Sequence, residues 1–212
     1  MATGGSPKRS RMNPFHQLSF AVSVTRLADL PPSVREVAIG GRSNAGKSSL
    51  LNALAQRRRL AYVSKTPGRT REINFFRCGD GRFIVDLPGY GYARVPLAVR
   101  ETWGELVSGY LQARPSLVGV VLLMDVRHAL TPLDWQLLFF LQESGKPVHA
   151  VLTKADKLSR QQALRTLAAV RQALDRQAPQ VSLQLFSTVT RQGADELAGR
   201  LAHWLEIKNA PG

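Results

Sequence analysis

The chain has 212 residues, 44% of them hydrophobic and 21% charged, which is enough for one globular domain with an ordinary core and excludes a disordered chain. No apolar run approaches the ~20 residues of a membrane-crossing helix, and the single cysteine, Cys78, excludes an internal disulfide and points to a reducing compartment. The formal net charge of +14 is unevenly placed, with 17 Lys/Arg against 5 Asp/Glu in residues 1–100 and 12 against 10 in residues 101–212; such a field favours a polyanion, namely RNA, DNA or an anionic membrane.

Taken in chain order, residues 1–17 open with MATGGSPKRSRMNP, which is basic but lacks the apolar stretch of a secretory signal, and are expected to form a flexible basic tail. REVAIGGRSNAGKSSLLNAL then predicts strand, glycine-rich turn and helix. Residues 57–72, RRRLAYVSKTPGRTRE, are expected to be a mobile basic loop, and residues 90–98 a second one. INFFRCGDGRFIVDLPG predicts two strands joined at Gly79-Asp80-Gly81. VGVVLLMDV (118–126) is a buried strand, followed by a helix with Thr131 as N-cap, Pro132 at its first position and Gly145 closing it. PVHAVLTKAD (147–156) is a further buried strand, residues 159–177 an amphipathic helix with a basic outer face, VSLQLFST (181–188) a strand and residues 193–207 a terminal helix. Residues 18–207 therefore read as a single domain and 208–212 as a C-terminal tail. The alternation predicts an α/β fold of three layers, a mostly parallel sheet with one antiparallel edge strand supplied by the hairpin. Ligands in such sheets bind at the carboxyl ends of the strands.

The motifs all fall there. Gly41-Arg42-Ser43-Asn44-Ala45-Gly46-Lys47-Ser48 matches G-x-x-x-x-G-K-[ST] between a strand and a helix, the context in which that pattern cradles phosphates. Gly41 and Gly46 let backbone N–H groups curl round phosphate oxygens, and the helix N-terminus adds partial positive charge. Lys47 is expected to reach the β and γ phosphates and the Ser48 hydroxyl to bind Mg2+. Asp86 ends a strand and is expected to hold the same ion through a water, while the Gly89 N–H bonds the γ-phosphate. Thr70, in the basic loop, can bring its hydroxyl to the metal only while the γ-phosphate is present, which would order that loop with the triphosphate.

Thr153-Lys154-Ala155-Asp156 ends a buried strand and selects the base. A carboxylate at Asp156 accepts from guanine N1–H and the 2-amino group together, whereas adenine offers neither donor there. The Lys154 stem can lie over the ring. The usual first residue of this motif is asparagine; Thr153 departs from it but keeps a hydrogen-bonding side chain. Ser187-Thr188-Val189 ends the last strand, where a backbone N–H could meet guanine O6.

The run of GRSNAGKSSLLNAL, TPGRT, DLPGYGYA, DVRHALTPLDWQLLFFL and LTKADK resembles the EngB family of bacterial GTPases, within the translation-factor type, over roughly residues 18–207. The resemblance implies a Ras-like P-loop GTPase fold and a cytoplasmic GTPase that assists assembly of the large ribosomal subunit and is linked to cell division and septation. It also implies nucleotide contacts at Gly41–Ser48, at Gly68, Arg69, Thr70, Arg71 and Glu72, at Asp86, Leu87, Pro88 and Gly89, at Thr153–Asp156 and at Ser187–Val189, with magnesium on Ser48 and Thr70. Lys47, Thr70 and Asn44 are expected to carry the chemistry on GTP.

Many nucleotide switches place a water-orienting glutamine after the glycine of Asp-x-x-Gly; here that residue is Tyr90. A phenol offers one O–H rather than an amide pair, so slow unassisted hydrolysis is expected, with a partner or cation completing the site. In relatives with Gly-x-x-Asn-x-Gly-Lys-Ser loops, the asparagine helps bind potassium beside the phosphates; Asn44 either does this or only shapes the loop. Arg57, Arg58, Arg59, Lys65, Arg69 and Arg71 flank the first switch, so nucleotide state could control a basic RNA-facing surface. Tyr90 and Tyr92 either stack on an unpaired base or pack inside the fold. The expected partner is the large ribosomal subunit or its precursor, with no stable membrane anchor and a monomeric chain. The competing readings are a septation or membrane-associated scaffold without ribosome contact and a tRNA-modification-type GTPase. The four histidines show no metal spacing, and the tryptophans lie in helix-like segments suited to packing.

Overall fold

A computed structural model describes residues 13–57, 60, 72–90 and 97–207, with side chains excepted at 97–103. Its strands are β1 (Ser19–Val24), β2 (Arg35–Gly41), β3 (Ile73–Gly79), β4 (Arg82–Asp86), β5 (Leu117–Asp125), β6 (Val148–Thr153) and β7 (Ser182–Leu185). Its α-helices are α1 (Lys47–Leu54), α2 (Leu97–Ala113), α3 (Pro132–Glu143), α4 (Arg160–Gln177) and α5 (Ala194–Trp204).

The strands form one sheet in the order β1-β3-β4-β2-β5-β6-β7. Strands β4, β2, β5, β6 and β7 are mutually parallel, and β3 runs antiparallel to both its neighbours. The mostly parallel α/β sheet is as the sequence predicts, and the hairpin strand β3 is the antiparallel one. It is not at the edge, because β1 pairs outside it. β1 escapes a sequence reading because only Val24 of its six residues is buried. Phe20 lies on the open face, edge-to-face with Phe76 at 5.9 Å between ring centroids.

The period-2 alternation of the buried strands sorts the core into two layers. On β2, Val37 and Ile39 join one apolar cluster and Ala38 the other; on β5, Val121 and Leu123 face one side and Val120, Leu122 and Met124 the opposite side. α1 and α5 cover the first face through Leu50, Leu51, Leu197 and Leu201, and α2, α3 and α4 cover the second through Tyr110, Leu138 and Leu174. Phe15 and Leu18 are fully buried in the first layer, and the Asn13 side-chain amide donates to the Leu54 carbonyl. The packed chain therefore starts before residue 18, and the described part of the expected tail, residues 13–17, lies on the domain.

Helix boundaries follow local chemistry. Thr131 and Asp134 close a capping box on α3 with Pro132 in its first turn, and Ser159 with Gln162 does so on α4. α3 ends ahead of Gly145, which has φ +67°. The second expected loop, 90–98, is shorter than the sequence suggests: Leu97 and Ala98 already belong to α2, and residues 91–96 lie outside the described residues, as do 58, 59 and 61–71 of the first loop. At the amino end of the sheet, buried Glu36 accepts from Tyr110 Oη at 2.8 Å and pairs with Arg114 at 2.6 Å, tying α2 to β2 away from the carboxyl ends.

Candidate nucleotide site

The carboxyl ends of β2, β4, β6 and β7 lead into Gly41–Ser48, Asp86–Gly89, Thr153–Asp156 and Ser187–Val189. The parallel register, with Ile39 opposite Asp86 and Asp125 opposite Thr153, brings residues over 100 positions apart to one edge.

The loop after β2 requires its glycines. A Cβ on Gly41 would stand 2.8 Å from the Leu123 carbonyl oxygen and 3.2 Å from the Ala45 Cβ. Gly46, at φ +100°, is the residue from which α1 begins, and Asn44 is also left-handed at φ 65°. Lys47 follows at the helix start, beside Asp86. Burial pushes the Lys47 ammonium down, opposed by Asp86; burial pushes the Asp86 carboxyl up to about 6, opposed by Lys47. Asp86 Oδ1 is buried and has no hydrogen-bond partner. A buried carboxylate oxygen without a donor, at the end of β4 and next to a phosphate loop, suits a hydrated cation. Mg2+ therefore fits here, with Ser48 and Asp86 among the residues that would hold it, and it would supply charge against the phosphate oxygens.

The segment after Asp86 folds back on the phosphate loop. The Leu87 N–H donates to the Ile39 carbonyl, and the Ser43 N–H to the Tyr90 carbonyl, both at 3.0 Å. Arg42 and Tyr90 form a parallel bridge. Gly89 lies so close that a Cβ on it would be 3.1 Å from Lys47 Nζ and from Ser43 N. The Tyr90 hydroxyl donates to Asp134 Oδ1 at 2.6 Å.

At the base end, two side chains of one motif hold the phosphate loop. Thr153 Oγ1, buried, lies 2.7 Å from the Ala45 carbonyl and 3.1 Å from that of Met124. Lys154, left-handed at φ 59°, donates through Nζ to the Asn44 carbonyl at 2.8 Å and pairs with Asp125 at 3.0 Å. Asp125 also takes Arg127 at 2.7 Å; the Arg127 hydrogen bonds hold its carboxyl well below the usual range, with Lys154 adding to the effect. The stretched Lys154 stem therefore spans from the base motif to the phosphate loop, as a platform for a ring would. Asp156 Oδ1 accepts from Ser187 Oγ at 2.6 Å, which lowers its pKa, with Lys157 a smaller contributor, and leaves Oδ2 as its second acceptor. Ser187 N–H is committed to the Gln192 carbonyl and Val189 N–H to Ser187 Oγ. Among the described residues, Thr188 carries the uncommitted N–H of the three.

The structure thus joins Gly41–Ser48, Asp86–Gly89, Thr153–Asp156 and Ser187–Val189 in one site. Glu72 stands just before β3, and Gly68, Arg69, Thr70 and Arg71 lie outside the described residues. Two contributors escaped the sequence reading: Asp125, which anchors Lys154, and Asp134, which anchors Tyr90. The helix-start pattern around Thr131 marks Asp134 only as a cap. His149 and the cysteine have structural settings. His149 is buried between Ser182 and Gln184, and burial pushes the Cys78 thiol up to about 12. No described helix is long and apolar enough to cross a membrane.

A phosphate loop at a strand-to-helix turn, an aspartate-glycine segment beside its lysine and the Thr153–Asp156 motif at the end of β6, two strands across from β2, are the features of a P-loop GTPase. The family model described as 50S ribosome-binding GTPase matches residues 36–154. The probable GTP-binding protein EngB of Nitrosomonas europaea is 53% identical over 197 residues, 92% of this chain and 89% of its own length; that of Laribacter hongkongensis is 55% identical over 201 residues, 92% and 90%. Among solved structures, a probable GTP-binding protein engB superposes with a TM-score of 0.62 at 22% identity, covering 82% of this chain and all of the other. Era of Aquifex aeolicus bound to GDP·AlF4⁻ superposes at 0.64 and 23% identity, covering 82% and 57%, which shows a shared fold. The chain belongs to the EngB family of GTP-binding proteins.

Proposed function

We propose that this GTPase is a switch that docks on the large ribosomal subunit or its precursor in the triphosphate state, assists assembly there and so supports normal cell division and septation. The match of residues 36–154 to a family described as 50S ribosome-binding GTPase carries this reading. The basic excess of residues 1–100 supports it, since a phosphate-rich RNA surface is the natural partner of such charge. The nucleotide cycle runs on GTP and GDP with Mg2+ held by Ser48, Thr70 and Asp86, and with potassium at Asn44.

Hydrolysis by the isolated protein is slow on this reading. The residue after Gly89 is Tyr90, whose phenol supplies no amide to orient a water, and the missing charge or positioning comes from the partner or the cation. The protein acts as a cytoplasmic monomer. Sedimentation with purified subunits in GDP, GTP and a non-hydrolysable GTP analogue, at two salt concentrations, tests docking. Retention on the large subunit with the triphosphate forms alone, weakening at higher salt, is the expected result; no retention in any state removes the ribosomal reading.

A further inference from the structure

Tyr90 and Asp134 are 44 positions apart, yet their hydroxyl–carboxylate contact is 2.6 Å long. Asp134 is fully buried, and its other contacts are within the α3 cap: Oδ2 accepts from Thr131 N at 2.7 Å and from Thr131 Oγ1 at 2.8 Å. The pair fixes the last described residue of the Asp86–Tyr90 segment to the start of a rigid helix. Burial and the neighbouring Asp134 charge both raise the Tyr90 pKa, so the phenol remains a donor at neutral pH.

The segment held in this way lies against one side of the phosphate loop. Tyr90 places its carbonyl on the Ser43 N–H. Gly89 walls the Lys47 ammonium so closely that one added carbon would have 3.1 Å of room. An oxygen of a γ-phosphate bonded to Lys47 would have to enter between Nζ and Gly89. A β-phosphate is also received by the N–H groups of the helix start at Gly46–Ser48 and so depends less on that space. We propose that Asp134 is a positioning residue of the nucleotide switch, which through the Tyr90 hydroxyl latches Asp86–Tyr90 on the phosphate loop in an arrangement that a triphosphate must displace and a diphosphate leaves in place.

A ligand shifts a two-state element only by its differential affinity for the two states. Removing the latch therefore helps the triphosphate alone. Tyr90→Phe deletes one oxygen, keeps the ring and leaves the Thr131–Asp134 cap intact. Fluorescent GDP and a fluorescent non-hydrolysable GTP analogue are titrated into wild type, Tyr90→Phe and Ser159→Ala. Since a hydrogen bond to a charged acceptor is at stake, the affinity ratio of analogue to GDP is expected to rise about 10- to 150-fold in Tyr90→Phe, with the GDP affinity within about twofold of wild type. Ser159→Ala, which loosens the α4 cap and touches neither Tyr90 nor Asp134, lowers the melting temperature and leaves the ratio in place. An unchanged or lower ratio in Tyr90→Phe, or an equal rise in Ser159→Ala, overturns the latch. GDP binding by wild type in the same titration shows separately that the guanine site is intact.

Discussion

Replacing Thr153 by valine keeps the shape of the side chain and removes one hydroxyl. That hydroxyl is buried and is 2.7 Å from the Ala45 carbonyl, linking the end of β6 to the middle of the phosphate loop. Valine places a methyl against two carbonyl oxygens, those of Ala45 and Met124. A buried acceptor left without a donor costs about 1–3 kcal/mol. Taking about 2 kcal/mol, a chain of this size should melt about 4–8 °C lower. The loop also loses its hold before the phosphates arrive, so GDP affinity should fall about 3- to 10-fold as ordering shifts onto the binding step. Calorimetric melts and GDP titrations of Thr153→Val beside Thr153→Ser, which keeps the hydroxyl, measure both effects. A valine variant that melts within about 1 °C of wild type and binds GDP equally well would falsify the claim that this threonine ties the base motif to the loop.

Three further outcomes follow from the same contacts. Asp156→Ala should lose two charge-assisted bonds to guanine of about 1.5–3 kcal/mol each, so GDP affinity should fall more than about 100-fold, and, because the buried Ser187 hydroxyl also loses its 2.6 Å acceptor, the free protein should melt about 2–8 °C lower. His149 is held neutral: burial pushes it down from 6.5 to about 4, while Nε2 donates to Gln184. The unfolded chain therefore binds the extra proton first, so the stability from this group is full above pH 6.5 and falls as the pH drops towards 4, by up to about 3 kcal/mol; His149→Gln should flatten the melting-temperature slope in that window, and an unchanged slope would contradict the assignment. Gly119 lies under the Trp204 ring, with a Cβ only 2.6 Å from Cε3, so Gly119→Val should displace the indole, shift its fluorescence and cost about 1–3 kcal/mol.

What was legible in the sequence follows from how far each interaction reaches. The phosphate loop, Asp86–Gly89 and Thr153–Asp156 could be read because each is a short motif whose residue types are set by local backbone and ligand chemistry, and each sits where an apolar run stops. The α3 and α4 caps were legible for the same reason. The antiparallel β3 was readable from Gly79-Asp80-Gly81, but its loss of the edge was not, because the pairing of β1 is with residues some 50 positions away. β1 itself has too little buried surface to show a period. Phe15 reads as tail because its neighbours are polar, and its burial is visible only once α1 and β3 supply the cavity walls. Lys154 with Asp125, and Tyr90 with Asp134, are charge and hydroxyl pairings across separate loops. No spacing rule connects them, although each partner sits at a strand end or helix start where the fold gathers its chemistry.

Single-turnover GTP hydrolysis is the direct test of the proposed switch, in which hydrolysis waits for a partner. The rate would be measured for the protein alone and with purified large subunits, in potassium and in sodium. The expected result is a slow rate for the isolated protein and a marked acceleration by large subunits, with potassium adding to it. A fast rate in isolation, unchanged by subunits or by the choice of cation, would contradict it.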